Sequence, residues 1–162
     1  GPESGFADLF KDRWCVITPF GKSDGKALNK LKKLWKNFGS KVQIMNAKNH
    51  DRILAITSHM PHLISYSIVS SSLNSNSKEK SQIIKFSAGG FRDFTRIAAS
   101  DAIMWRDIFF NNKINLLKIT KEFEKSLNLI KNYIKKNDSK KLQEIFLRTK
   151  KIRKLIEKEK QE

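Results

Sequence analysis

The residues best suited to chemistry fall in two short stretches. In Ser58-His59-Met60-Pro61-His62 two imidazoles stand three residues apart, a spacing that puts both on one face of a helix. His50, followed by Asp51, precedes them, so all three histidines lie within thirteen residues. Such a set could ligate a metal with Asp51, line a pocket for an anionic or hydroxylated ligand, or be hydrogen-bonded inside a core. The glutamate and second-histidine arrangement of helical zinc enzymes is missing, so no metal is expected and the core role is the default. The other stretch is Gly89-Gly90-Phe91-Arg92-Asp93-Phe94-Thr95-Arg96. Asp93 and Arg96, at i and i+3, can pair and hold the guanidinium fork in one orientation for a bidentate grip on a carboxylate. An ordinary surface ion pair, worth little, is the competing view. Gly89 and Gly90 permit close backbone approach, but with no Gly-x-Gly-x-x-Gly pattern nucleotide binding does not follow from them.

Elements must exist to position these groups, and the composition supplies them. Of the 162 residues 39% are hydrophobic, eleven of them Phe, which is enough for a packed core and excludes global disorder. The single Cys15 excludes an internal disulfide and fits a reducing compartment. Within Trp14-Cys15-Val16-Ile17 it is expected to pack as a small hydrophobe. The chain begins with Gly and has no basic-then-apolar leader, so no secretory signal is expected. A net charge of +17, carried mainly by Lys and spread along the chain, favours acidic partners without selecting one.

Residues 13–19 form a predicted strand closed by Pro19, and Ser23 or Asp24 can cap a helix through Phe38 that stops at Gly39. Residues 41–45 alternate as a second strand. Strand, helix and strand make one unit of an α/β sheet, too small to fold well alone. Residues 49–73 form a helix apolar almost all round, hence one buried in protein. Asp51, Arg52, His59, His62 and five serines argue against a membrane span. Pro61 is expected to kink that helix. Residues 74–81 are polar and expected to be a mobile loop, and residues 87–90 a small-residue turn before a helix from about Phe91. After a break near Ser100-Asp101, one long helix is predicted. Its apolar stripe runs Trp105, Ile108, Asn112, Leu116, Ile119, Phe123, Leu127, Ile130 and Ile134. Asn137-Asp138-Ser139 interrupts it before a last amphipathic helix. Faces this apolar point to helix-on-helix packing, including across a dimer interface.

The run from Gly89 to Ala98, followed by Ser100-Asp101 and Met104-Trp105-Arg106-Asp107-Ile108-Phe109, resembles the signature of the prephenate and arogenate dehydrogenase family. Ser58-His59-x-Pro61-His62 with His50-Asp51 ahead of it is similar to that family's other C-terminal motif, in the same order. The segment from Arg13 to Pro19 resembles the strand near the end of its nucleotide-binding domain. The likeness covers nearly the whole chain and fades after about Lys136; Ala102 stands where proline is usual after Ser-Asp. The resemblance implies a Rossmann-like NAD(P) domain joined to an all-helical domain that forms a homodimer, with substrate in the cleft between. It implies that Arg96 grips a carboxylate of prephenate or arogenate, with Asp93 orienting it. His62, with His59, would line the substrate side, His50 the cofactor side, and Gly89, Gly90 and Trp105 would shape the pocket. A dicarboxylate substrate and a pyrophosphate-bearing cofactor, NAD or NADP, would also suit the basic charge.

The expected fold is therefore mainly α. Residues 1–46 are expected to be the C-terminal end of a truncated Rossmann-like domain, and residues 47–162 a helical substrate-binding and dimerisation domain. By the resemblance, the catalytic histidine and the glycine-rich cofactor loop lie upstream of Gly1, so this fragment alone is expected to be inactive. A cytoplasmic enzyme is expected. A basic helical nucleic-acid-binding module and a purely structural dimerisation domain are the alternatives; the former lacks a recognition helix or an aromatic platform.

Overall fold

The computed structural model describes residues 2–72, 74 and 76–158; Gly1, Leu73, Ser75 and residues 159–162, which the sequence expectations touch, lie outside the described residues. The protein is mainly α, with two short strands, and divides into two compact units: Gly1–His50 with Lys125–Glu162, and Asp51–Glu124.

In the first unit β1 (Trp14–Ile17) and β2 (Lys41–Ile44) pair in parallel, Trp14 opposite Lys41 and Ile17 opposite Ile44, and α1 (Gly25–Asn37) crosses between them. The Asp24 carboxylate caps α1, accepting from the Lys26 and Ala27 N–H groups at 2.9 and 3.3 Å. At the other end Ser40 N–H bonds the Trp35 carbonyl and Gly39 N–H that of Lys36, a Schellman closure with Gly39 at φ +85°. Phe10, Trp35 and Phe38 form an aromatic triangle over this end, with centroids 5.1 to 6.2 Å apart. The same closure with Asn137 at φ 50° ends α7 (Lys113–Lys135), and the Asp138 carboxylate then caps α8 (Ser139–Lys158) through Lys141 N–H.

The second unit holds the buried apolar residues found among those described: Ala55, Trp105 and Leu116. Its long first helix departs from the simple kink expected at Pro61. α2 (Ala47–Leu54) widens into a π turn over Ala55–His59 before α3 (Met60–Ser72) begins, and Met60 N–H reaches the Ala55 carbonyl. Proline has no N–H and crowds the carbonyl four residues back, so a wider turn just before it accommodates the ring without breaking the rod. Ser65, Ser67, Ser71 and Ser72 of α3 return their hydroxyls to the helix: Ser65 Oγ donates to the Pro61 carbonyl at 2.8 Å and is fully buried. α3 packs against α5 (Gly89–Ala98).

Three further expectations are corrected. Residues 74–81 are not wholly loop, because α4 (Ser77–Lys85) starts there. Asn76 accepts from Glu79 N–H while the Glu79 carboxylate accepts from Asn76 N–H, a reciprocal capping box that converts a polar stretch into a helix start. Gly89 and Gly90 are not a turn but the first residues of α5, whose cap, Ala88, contributes no side-chain bond. Finally, the predicted single long helix breaks at Asn112 into α6 (Ala102–Asn111) and α7. Asn112 sits on the stripe, 7% exposed, and its amide leaves the helix for other partners. It donates to the Asp51 carbonyl at 2.7 Å and to His59 Nδ1 at 3.1 Å, while its oxygen accepts from Asn115 at 2.8 Å.

Asn112→Ala takes a donor from each of two acceptors inside the unit and is expected to lower unfolding free energy by about 2–4 kcal/mol. Urea titration followed by circular dichroism measures it, and a loss below about 0.5 kcal/mol would show that the bridge carries no weight. A Cβ at Gly39 would stand 3.1 Å from Lys11 Cα at a positive φ. Gly39→Ala is expected to cost about 1–2 kcal/mol in the same measurement.

Candidate functional site

Two imidazoles and an indole meet where the π turn and α3 approach α6. The His62 ring lies flat on Trp105, centroids 3.4 Å apart and planes 17° from parallel, while His59 meets the same indole edge-on at 6.2 Å. Phe109 and Tyr66 extend the cluster, and the Tyr66 hydroxyl donates to the Ser100 carbonyl at 3.2 Å. Trp105 and His59 are buried, whereas His62 is half-buried.

The hydrogen bonds assign each ring a different tautomer. His62 Nδ1 contacts the Ser58 carbonyl at 2.9 Å; a carbonyl only accepts, so Nδ1 carries the proton and Nε2 presents a lone pair in the neutral ring. Among the described residues nothing hydrogen-bonds Nε2. His59 is the reverse case. The Asn112 group bonded to the Asp51 carbonyl must be the amide NH2, so His59 Nδ1 is the acceptor and its proton sits on Nε2. His59 is held within the core, and His62 is oriented at its margin.

Arg96 and Asp93 pair as expected, Nη2 to Oδ1 at 3.4 Å, with both side chains about seven-tenths exposed. An ion pair so solvated stabilises little, but it biases the fork's direction. Among the described residues no hydrogen bond joins Arg96 to the imidazole–indole cluster. Gly89 and Gly90 face open space, with no heavy atom within 4 Å of where a Cβ would stand. His50 is half-buried in α2, in the first unit rather than the second. The structure thus unites His59, His62 and Trp105, pairs Asp93 with Arg96, and gives the glycines an uncapped helix start. Among the described residues no three His, Cys, Asp or Glu side chains converge on a metal-sized space.

Asn112, Ser65 and Tyr66 were not among the candidate site residues. Asn112 left a signal, a polar side chain on an otherwise apolar stripe. Ser65 and Tyr66 left none, since each is defined by what the fold places beside it. The βα turn before α1 is closed by the Asp24 carboxylate, so the described residues offer no seat there for a dinucleotide's pyrophosphate. Among them no helix is long and apolar enough to cross a membrane.

Comparison with known proteins adds an independent observation. A family described as "Prephenate dehydrogenase, dimerization domain" matches residues 46–148. The cyclohexadienyl dehydrogenase of Zymomonas mobilis is 35% identical over 153 residues, which are 94% of this chain and 52% of that protein. The prephenate dehydrogenase of Bacillus subtilis is 34% identical over 138 residues, 85% of this chain and 37% of that one. The chain therefore spans about half or less of these relatives' length. The crystal structure of prephenate dehydrogenase from A. aeolicus, in complex with hydroxyphenyl propionate and NAD+, superposes with a TM-score of 0.89 at 37% identity, covering 96% of this chain and 54% of that one. A Synechocystis arogenate dehydrogenase shares the fold at 21% identity, with a TM-score of 0.81, 92% of this chain and 54% of that one being covered. With more than half of its length inside the matched domain and its helices laid out as in these structures, the chain belongs to the prephenate dehydrogenase family.

Proposed function

We propose that this chain is the substrate-binding and dimerising part of a cytoplasmic dehydrogenase that converts prephenate, with arogenate as a second candidate substrate, by oxidative decarboxylation with NAD or NADP as oxidant. From prephenate the product is 4-hydroxyphenylpyruvate, on the route to tyrosine. The observation that carries this reading is the oriented His62 ring stacked on Trp105, in a chain whose family match spans that whole helical unit. The ligands named for the A. aeolicus protein, a hydroxyphenyl acid and NAD+, support the same substrate and cofactor classes.

The chain's own residues bind and orient. Trp105, buried, fixes the plane of the His62 ring, and His62 Nε2 offers one directed hydrogen bond to a ring substituent or side-chain hydroxyl. Arg96, steered by Asp93, supplies the charge for a carboxylate; a guanidinium gains strength for this as water is excluded around it. The open α5 start at Gly89 and Gly90 lets substrate approach the backbone closely. His59 stands behind His62 against Trp105, and His50 is assigned to the cofactor side on resemblance. We assign residues 1–46 to the end of the nucleotide-binding domain and residues 47–162 to the helical domain. The cofactor's phosphates and the histidine that starts the chemistry belong, on this reading, to the part of the relatives that this chain does not cover.

The activity is tested by following NADH or NADPH formation from prephenate, and separately arogenate, by the enzyme that contains this chain. No turnover with any pairing overturns the reading. In that enzyme Arg96→Ala is expected to raise the substrate KM by about tenfold or more, the scale of a lost charge-assisted bond, with unchanged circular dichroism. An unaltered KM refutes the role given to Arg96. The two histidines should separate: His62→Ala raises KM with little loss of stability, whereas His59→Ala lowers stability by about 1–3 kcal/mol through the orphaned Asn112 amide. Equal effects at both positions would contradict the distinct tautomers assigned to them.

A further inference from the structure

Arg96 and the His62–Trp105 stack stand on different helices, and the reading above asks both to hold one substrate. Two contacts on one small molecule are productive only when the separation between them is fixed. Asp93 steers the guanidinium but belongs to α5 itself, so it does not set where α5 lies against α3. Tyr66 is placed to do so. Its ring is edge-on to Phe109 at 6.4 Å, and Phe109 meets Trp105 at 5.6 Å, which makes Tyr66 the outer member of the cluster carrying His62. Its hydroxyl leaves that cluster and donates to the Ser100 carbonyl at 3.2 Å.

The two ends of this bond sit at matching places. Tyr66 follows His62 by four residues on α3, hence on the same face one turn further. Ser100 follows Arg96 by four residues, one position beyond the Ala99 cap of α5. The corner is otherwise closed on its own residues. Ser100 N–H and Oγ both donate to the Ile97 carbonyl, at 3.2 and 2.7 Å, and the Asp101 carboxylate caps α6 through Met104 N–H. The Ser100 carbonyl precedes that cap and lies outside the ladder of either helix, so a half-buried acceptor is left for a side chain of α3 to satisfy.

We propose that Tyr66 is a positioning residue, whose hydroxyl fixes the distance between the imidazole–indole cluster and Arg96 and so the span of substrate that the two hold together. The inference rests on the dehydrogenase reading and deepens it with a residue that acts through Arg96.

The test is Tyr66→Phe in the enzyme that contains this chain, alone and combined with Arg96→Ala. KM and kcat for prephenate and for arogenate are measured, and thermal unfolding is followed by circular dichroism. Phenylalanine keeps the ring against Phe109 and removes only the donor. The expected result is a KM raised about fivefold, the scale of one neutral hydrogen bond, with kcat held within about twofold. In the Arg96→Ala background the same substitution is expected to leave KM where it was, because the group whose place it fixes is gone. A bond that serves stability alone would lower the melting temperature without moving the KM of the folded enzyme, and that result overturns the inference. So do effects that multiply in the double variant, since Tyr66 would then not act through Arg96. An enzyme without turnover on either substrate overturns the dehydrogenase reading and this inference with it, whereas an active parent with an unmoved KM in Tyr66→Phe overturns the inference alone.

Discussion

One side-chain amide sets the geometry of the second unit. Asn112 has two N–H groups, and both end on acceptors inside that unit: the Asp51 carbonyl and His59 Nδ1. That bridge ties the rod of α6 and α7 to the start of the helix carrying both imidazoles. It interrupts the rod at the residue that makes it, and it fixes which nitrogen of His59 holds the proton. Trp105, about two helical turns earlier on the same face, then lies against His59 edge-on and His62 face-on. The orientation of His62 thus has two sources, the Ser58 carbonyl on its own helix and an indole positioned by the Asn112 bridge.

The π turn is the other half of this arrangement. Pro61 stands between the histidines, and a regular α-helix through it would clash and lose a bond. Widening over Ala55–His59 absorbs the proline and leaves His59 buried while His62 stays at the margin. Rigidity and exposure are divided accordingly. The imidazoles and indole are fixed by neighbours on several sides, whereas Arg96 on α5 is steered by a single solvated carboxylate. A fixed ring with one directed acceptor selects geometry; an exposed cation attracts charge from solution. On the proposed reading a carboxylate-bearing ring needs both.

Much of this was legible in the sequence, and the failures have physical causes. Asp24, Gly39, Asn137 and Asp138 announce their helix ends because capping is local chemistry between residues three or four apart. The α4 start was equally local: Asn76 and Glu79 have capping-box spacing, but the surrounding serines and lysines mask it as loop. Gly89 and Gly90 misled because glycine is as compatible with a helix's first turn as with a tight bend. Asn112 was harder. Its position on the stripe is visible, yet the partners its side-chain amide reaches, Asp51 and His59, lie more than fifty residues away. The Arg96–Asp93 pair was visible from spacing alone, whereas the stack of His62 on Trp105 depends on α3 and α6 being brought together.

The rod through Asn112 has to satisfy two demands that pull its composition in opposite directions. Its inner face must combine large apolar groups with one amide, or His59 Nδ1 loses the group that donates to it. Its outer face carries Ile103, Phe110, Ile114 and Leu117, each more than half exposed, among Arg106, Asp107 and Lys113. A helix apolar on both sides is stable only when both are covered. Covering Phe110 and Ile114 would stiffen the segment whose opposite side holds Trp105 and Asn112, so that a surface remote from the imidazoles contributes to holding them in place.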